Sequence, residues 1–365
     1  MTGERFSAAM RSSVEHRSPL SLEVIVRSLG IVLALSLSLP VAAAAQAARQ
    51  AGAAVSESKT WSTPWDRTRP RDPYADAEGR VWFVGQVGNY VARLDPRTGE
   101  FKRYEIDPGT HPHNLVVDRR GMVWFTGNAN GRIVRMDPVT GKLTTFMMPD
   151  STVRDPHTMI FDRKGDAWFT AQTAGVVGRL TQADGKIRLW KMAARSRPYG
   201  IWIDSHGQPW FDLFGTNQIG TIDPRSGEFT AYTLPSERAR PRRIAITPDD
   251  AIWYGDYTRG YLGRLDPLTG TVEEFALPSG LGSLPYAMTV DDRGRIWLAE
   301  TGVQPNRLVA FDPAKRAFTE TVTIVADGPN TIRHMTFDKT TRQIWFGGDA
   351  NMIGRVQVSA PPVVP

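Results

Sequence analysis

A chain of 365 residues that is 41% hydrophobic and 10% aromatic can bury a sizeable core, so disorder is not the default expectation. It contains no cysteine, so a disulfide scaffold, a thiolate metal site and a cysteine nucleophile are all excluded. The net charge of +6 arises from 44 basic and 38 acidic residues that intermingle without a run of five like charges; this is a mixed solvated surface, and no nucleic-acid partner is expected.

The first element in chain order reads as an export signal. Residues 29–45, LGIVLALSLSLPVAAAA, form an apolar run behind Arg27, and Ala45-Gln46-Ala47 fits the small-x-small pattern of a signal-peptidase site. The run is short and broken by Pro40, so no stable membrane span is expected once residues 1–47 are removed. The mature protein is therefore expected to be exported, periplasmic or secreted. Residues 48–58 read as a linker and 359–365 as a C-terminal tail.

Between them a motif repeats. An apolar-Trp-aromatic (or Leu) triplet recurs as VWF 81–83, VWF 123–125, AWF 167–169, PWF 209–211, IWY 252–254, IWL 296–298 and IWF 344–346, with tryptophan spacings of 42, 44, 42, 43, 44 and 48. Each copy opens with a run that usually ends in Asp (LVVD, MIFD, IWID, MTVD, MTFD), followed by a polar turn and the Trp strand. A third run follows, then a turn such as DPRTG 95–99 or DPLTG 266–270, then a fourth run ending aromatic-x-x-Pro. Proline presets φ in these turns and the glycine after it accepts the left-handed conformation. Four short strands per 42 to 48 residues, without a helical period, predict an all-β fold: a seven-bladed β-propeller of four-stranded antiparallel blades over residues 59–358. The seven tryptophans are expected in the core, each packed against the neighbouring blade.

The ends predict how the ring closes. The seventh copy supplies three strands and stops, while KTWSTP 59–64 matches the fourth-strand ends TTFMMP, TAYTLP and EEFALP. An N-terminal strand is expected to complete the last blade, leaving no exposed edges.

Position five before the Asp that ends strand one gives a ring of equivalent residues: Arg71, His113, His157, Tyr199, Arg242 (where Thr247 replaces the Asp), Tyr286 and Arg333. All are long and polar or amphipathic, at the end of the channel where propellers gather ligands. Asn128, Gln172, Asp212, Asp256, Glu300 and Asp349 are expected near the same rim. His206, in the turn SHGQ, falls at the opposite end, His334 reads as packing or water-bridged inside a strand, and His111 reads as either a rim contact or a turn residue.

This cadence of Pro-His/Tyr before strand one, apolar-Trp-Phe-Thr, Gly-Arg-apolar and aromatic-x-apolar-Pro resembles the virginiamycin B lyase (streptogramin lyase) family of seven-bladed propellers, along the whole of residues 59–358. In that family a histidine removes a proton next to a carbonyl and a cyclic peptide ester opens by elimination, with Mg²⁺ held by acidic residues. The resemblance implies a carbon–oxygen lyase in which His157 is the base and His113 and Tyr199 contact the substrate. The trio falls in consecutive blades in the family's order, once the ring is read circularly. Asp155 takes the place of one metal-binding Glu, and Gln172 stands where the second is expected, so Mg²⁺ is the implied cofactor at Asp155 and Gln172.

Two other readings stand beside it. One is a non-catalytic propeller that binds a ligand or protein partner across its top face, with Arg71, Arg242 and Arg333 gripping a carboxylate or sugar. The other is a metal-dependent lactonase using Glu300, Asp256 and Asp349. In each case the expected protein is a monomer; for an enzyme the partner is a small-molecule or cyclic peptide ligand.

Overall fold

The structure, a computed structural model, describes residues 57–359; the export signal read over residues 1–47 lies outside the described residues. Among these, 28 strands form seven four-stranded antiparallel sheets, the number and size of blades that the repeat predicts. Strand one of blades one to six begins at Pro70, Pro112, Pro156, Pro198, Pro241 and Pro285. Proline is tolerated there because the first residue of a strand need not donate to the ladder.

Strand one of each blade lies beside strand one of the next, and Ile332–Asp338 of the last lies beside Pro70–Ala75 of the first, so the sheets close on a central axis. The closing strand is the expected one. Ser58–Ser62 pairs antiparallel with Met352–Gln357, with Trp61 opposite Ile353, and Trp61 stacks on Trp345 at 5.7 Å.

All seven strand-two tryptophans are buried. They pack across blade boundaries: Trp124 with Met159 and Phe169, Trp168 with Phe211, and Trp345 with Phe83. The Asp that ends strand one has a use beyond the turn. Its carboxylate accepts the indole N–H of the tryptophan six residues later, at 2.8 Å for Asp76–Trp82, 2.9 Å for Asp118–Trp124, 3.0 Å for Asp204–Trp210 and 2.9 Å for Asp291–Trp297. Where Thr247 replaces the acid its hydroxyl accepts the Trp253 N–H at 3.0 Å. A buried indole N–H needs such a partner. Among the described residues no helix is long and apolar enough to cross a membrane.

Candidate functional site

Each strand one breaks register against strand two near its start, for example between Pro112 and Leu115, between Pro156 and Met159, and between Pro198 and Ile201. Such an irregularity re-aims side chains that a regular strand would send to opposite faces. Two tiers of residues result. The upper is the expected ring; the lower is the next residue along, Asp72, Asn114, Thr158, Gly200, Arg243, Ala287 and His334.

The upper tier brings the expected trio together. His113 and His157 have ring centroids 3.5 Å apart, and His157 and Tyr199 are 4.1 Å apart. The Tyr199 and Tyr286 hydroxyls are hydrogen-bonded across the channel. Strand two holds the trio in place. The Thr126 hydroxyl accepts the Asn114 amide of its own blade at 3.1 Å and donates to the His157 carbonyl of the next at 3.0 Å. Thr170 donates likewise to the Tyr199 carbonyl at 2.7 Å. In both, one hydroxyl fixes the register of two blades, which a valine of the same shape could not do.

The ring is packed shut. His113 is 4% exposed, and His157 and Tyr199 are each 3% exposed. Arg242, half-buried, lies over four aromatic rings, at 3.9 Å from the Tyr286 centroid, 4.3 Å from Tyr257, 4.7 Å from Phe214 and 5.2 Å from Tyr199. Stacking of a guanidinium on rings is favourable without a carboxylate. Arg71 is buried against Asp72 at 3.0 Å and donates to the Gln86 side chain at 3.0 Å. Arg333 pairs with Asp349.

Burial and the arginines set the protonation. Burial, then the charges of Arg71, His157 and Arg243, hold His113 well below the usual histidine value. Burial, then Arg243, Arg71 and Arg242, do the same for His157. Both imidazoles are therefore neutral at pH 7, as a general base must be. Burial pushes Asp212 well above the ordinary carboxylate range; one of its oxygens accepts the Gly200 amide at 2.9 Å, and the other has no partner.

The implied metal position does not match its donors. Asp155 is half-buried, and both its oxygens accept backbone amides, those of Thr173 and Ala174, so it caps the loop after strand two. Gln172 brings only a neutral amide. Among the described residues no group of three or more His, Cys, Asp or Glu side chains is placed to hold a metal ion. Mg²⁺ is bound through carboxylate oxygen with near-octahedral demands; Asp155 and Gln172 do not fit it.

The carboxylates weighed for a lactonase are also engaged within their own blades. Glu300 is fully buried and accepts the Ser279 amide at 2.8 Å, while Asp256 is fully buried, accepts the Arg240 amide at 3.0 Å and pairs with Arg259. Of the remaining histidines, His111 is an exposed rim residue with φ +44°, its amide donating to Asn89 at 2.8 Å. His206 is exposed in its turn, 3.3 Å from Asp250.

The lower tier is not expected from the ring spacing; of its members only His334 has an expected role, packing or water-bridged, and it lies at the axis instead. Its signal was present: Asp72, Asn114, Thr158, Arg243 and His334 are polar residues inside otherwise apolar strands, each directly after a ring position. Asn114 donates to Asp72 at 2.8 Å and accepts the Met159 amide at 2.9 Å. Arg243 reaches across the channel to the Thr158 hydroxyl at 2.9 Å.

The model of the virginiamycin B lyase family matches residues 67–356. Among solved structures, a streptogramin B lyase is similar at a TM-score of 0.75 and 25% identity, over 83% of this chain and 98% of that chain. The virginiamycin B lyase of Staphylococcus aureus gives the same score and identity over 83% of this chain and 100% of its own, and so does a catalytically inactive histidine-to-alanine variant of that enzyme with quinupristin. Hydrazine synthase of Kuenenia stuttgartiensis, 14% identical with a TM-score of 0.67 over 82% of this chain and 98% of its own, shares the fold alone. No curated protein matches the sequence.

Proposed function

We propose, for a chain that belongs to the virginiamycin B lyase family, that it is an exported carbon–oxygen lyase opening a cyclic ester by elimination with His157 as base. The observation that carries this reading is the neutral His157 held between His113 and Tyr199, with the Arg242 guanidinium over the Tyr199 ring. His157 takes the proton from the carbon next to a carbonyl. The released electron pair forms a carbon–carbon double bond, and the ester C–O bond on the adjacent carbon breaks. The leaving carboxylate meets Arg242, whose charge no carboxylate neutralises within 4 Å among the described residues and whose Nε has no partner. A cation aimed where negative charge develops lowers the barrier most in a dry site. Substrate access requires Arg242 to leave its aromatic box. His113 and Tyr199 orient the ring ester, and Arg71 fixes the tier below through Asp72.

A second reading is favoured by the closed packing: a monomeric propeller that binds an anionic ligand on the Arg242 and Arg333 rim without turning it over. One experiment decides. Mature protein is incubated with quinupristin and with simple lactones, in Mg²⁺ and in EDTA, and product masses are read. Elimination gives a ring-opened product of unchanged mass, hydrolysis adds a water, and saturable binding without product supports the second reading. His157→Ala should lower turnover at least a hundredfold; full turnover in that variant removes the assigned base.

A further inference from the structure

We propose that the channel end opposite the histidine ring is a separate binding site for a small organic carboxylate with an aromatic or branched apolar body. A cavity of about 430 Å³ lies there, beneath the packed upper tier. It runs from the lower tier to the strand 1–2 turn of the last blade, where Lys339 and Thr340 are exposed at its mouth. The size suits one compact small molecule. Its walls are apolar: Val116, Ile160, Trp202, Met288 and Phe337. Ile160, Trp202 and Phe337 are only half-buried although they belong to innermost strands, so the cavity leaves apolar surface for a ligand to cover.

The floor decides the polar end of that ligand. Arg243 is 3% exposed and lines the cavity. Two of its donors are used, by the Thr158 hydroxyl at 2.9 Å and the Arg333 carbonyl at 3.2 Å, and its buried Nε has no partner. Other buried arginines face a carboxylate: Arg71 has Asp72 at 3.0 Å and Arg295 has Asp291 at 2.7 Å. Arg243 has none within 4 Å among the described residues, and a desolvated guanidinium without a counter-charge is costly. The neighbouring acids make no ion pair with it. Asp72 is held by Arg71 and Asn114, and burial pushes the Asp212 carboxyl well above its ordinary range even though the Arg243 charge opposes that shift. His334 adds a ring nitrogen, Nδ1, that is also without a partner beside the same cavity. A carboxylate accepts from the Arg243 guanidinium, and from His334 Nδ1 in the tautomer that carries its proton there, whereas an ammonium is repelled by the guanidinium. At the mouth Asp338 accepts the Thr340 amide and the Thr341 hydroxyl, and Lys339, next to it in sequence, supplies a positive charge at the same opening.

The test uses 2-naphthoate and its neutral counterpart 2-naphthylmethanol, titrated calorimetrically into the mature protein. Naphthoate should bind at one site per chain, at least tenfold more tightly than the alcohol. Arg243→Met should lose that preference, Arg243→Lys should restore part of it, and Ile160→Trp should block both ligands while leaving quinupristin binding or turnover at the other face as in wild type. Equal affinity for acid and alcohol, no saturable binding, or undiminished binding in Ile160→Trp would each overturn the proposal. If Arg243→Met does not fold, the acid–alcohol comparison and Ile160→Trp decide alone.

Discussion

The imidazoles of His113 and His157 stand with centroids 3.5 Å apart and their planes at 37°, both buried and both neutral. Two imidazolium rings could not share that space, so folding excludes a proton that the unfolded chain would take up.

Stability should therefore fall with acid. A histidine whose folded value is lowered contributes stability fully present above about pH 6.5, its unfolded value, and lost as pH falls below it. For His334, lowered to about 4 by burial, the window runs from about 6.5 down to 4. Asp212, raised by burial, acts with the opposite sign: its contribution is present below about pH 4 and lost as pH rises through its folded value. Urea unfolding at pH 7.5 and 5 should show wild type losing stability, with His334→Gln losing roughly 2 kcal/mol less over that interval. Equal losses in the two proteins would show that His334 is not kept neutral by the fold.

A second ionisation sits at the Tyr199–Tyr286 pair. Burial opposes ionisation of Tyr286, but Arg242, Arg71, Arg333 and Arg243 outweigh it and bring the phenol well below the ordinary tyrosine value. Burial and its neighbour keep Tyr199 protonated. Absorbance at 295 nm should reveal one phenolate forming several units below pH 10, absent in Tyr286→Phe. Arg242→Met should move it upward, because the nearest guanidinium is gone. An unchanged titration in Arg242→Met would show that this cation does not act on the pair.

The blades were legible because strand-two tryptophans recur at nearly constant spacing, and each needs the same turn and the same neighbour. The approach of His113, His157 and Tyr199 was legible for the same reason: equivalent positions in a closed ring converge. Sequence did not show that the bulges place a second residue per blade at the axis. Arg243 thus read as an ordinary strand residue, whereas it shares the channel with Thr158 of a blade two steps away. Nor did it show which end of the channel is open. That depends on how tightly two histidines, two tyrosines and Arg242 fill one cross-section, a packing outcome with no local pattern.

The Asp–Trp clasp gives a third prediction. Asp118 accepts the Arg120 and Met122 amides and the Trp124 indole, all at 2.9 Å. Asp118→Ala should cost roughly 2 to 4 kcal/mol in urea unfolding, since it strands a buried indole N–H and frees a turn. In the last blade the acid and tryptophan are seven apart, and Asp338 binds the Thr340 amide and Thr341 hydroxyl instead. Asp338→Ala should cost about 1 kcal/mol. Similar losses at both sites would show that the turn, not the indole, accounts for the effect.

The metal position is open to a gain-of-binding test. Asp155 supplies one carboxylate already bonded to two loop amides, and Gln172 supplies an amide oxygen at the place where the family pattern has an acid. Replacing Gln172 with Glu restores the second carboxylate with little change in shape, since Gln172 is half-buried and the two side chains are near-isosteric. Two carboxylates raise affinity for a hard cation by charge alone, and waters can complete the octahedron. Calorimetric titration with Mg²⁺ should give no saturable heat in wild type and a one-site isotherm in Gln172→Glu, abolished by a further Asp155→Asn. If wild type binds Mg²⁺ as well as Gln172→Glu does, the amide is a sufficient ligand, and metal-assisted elimination regains its place at His157.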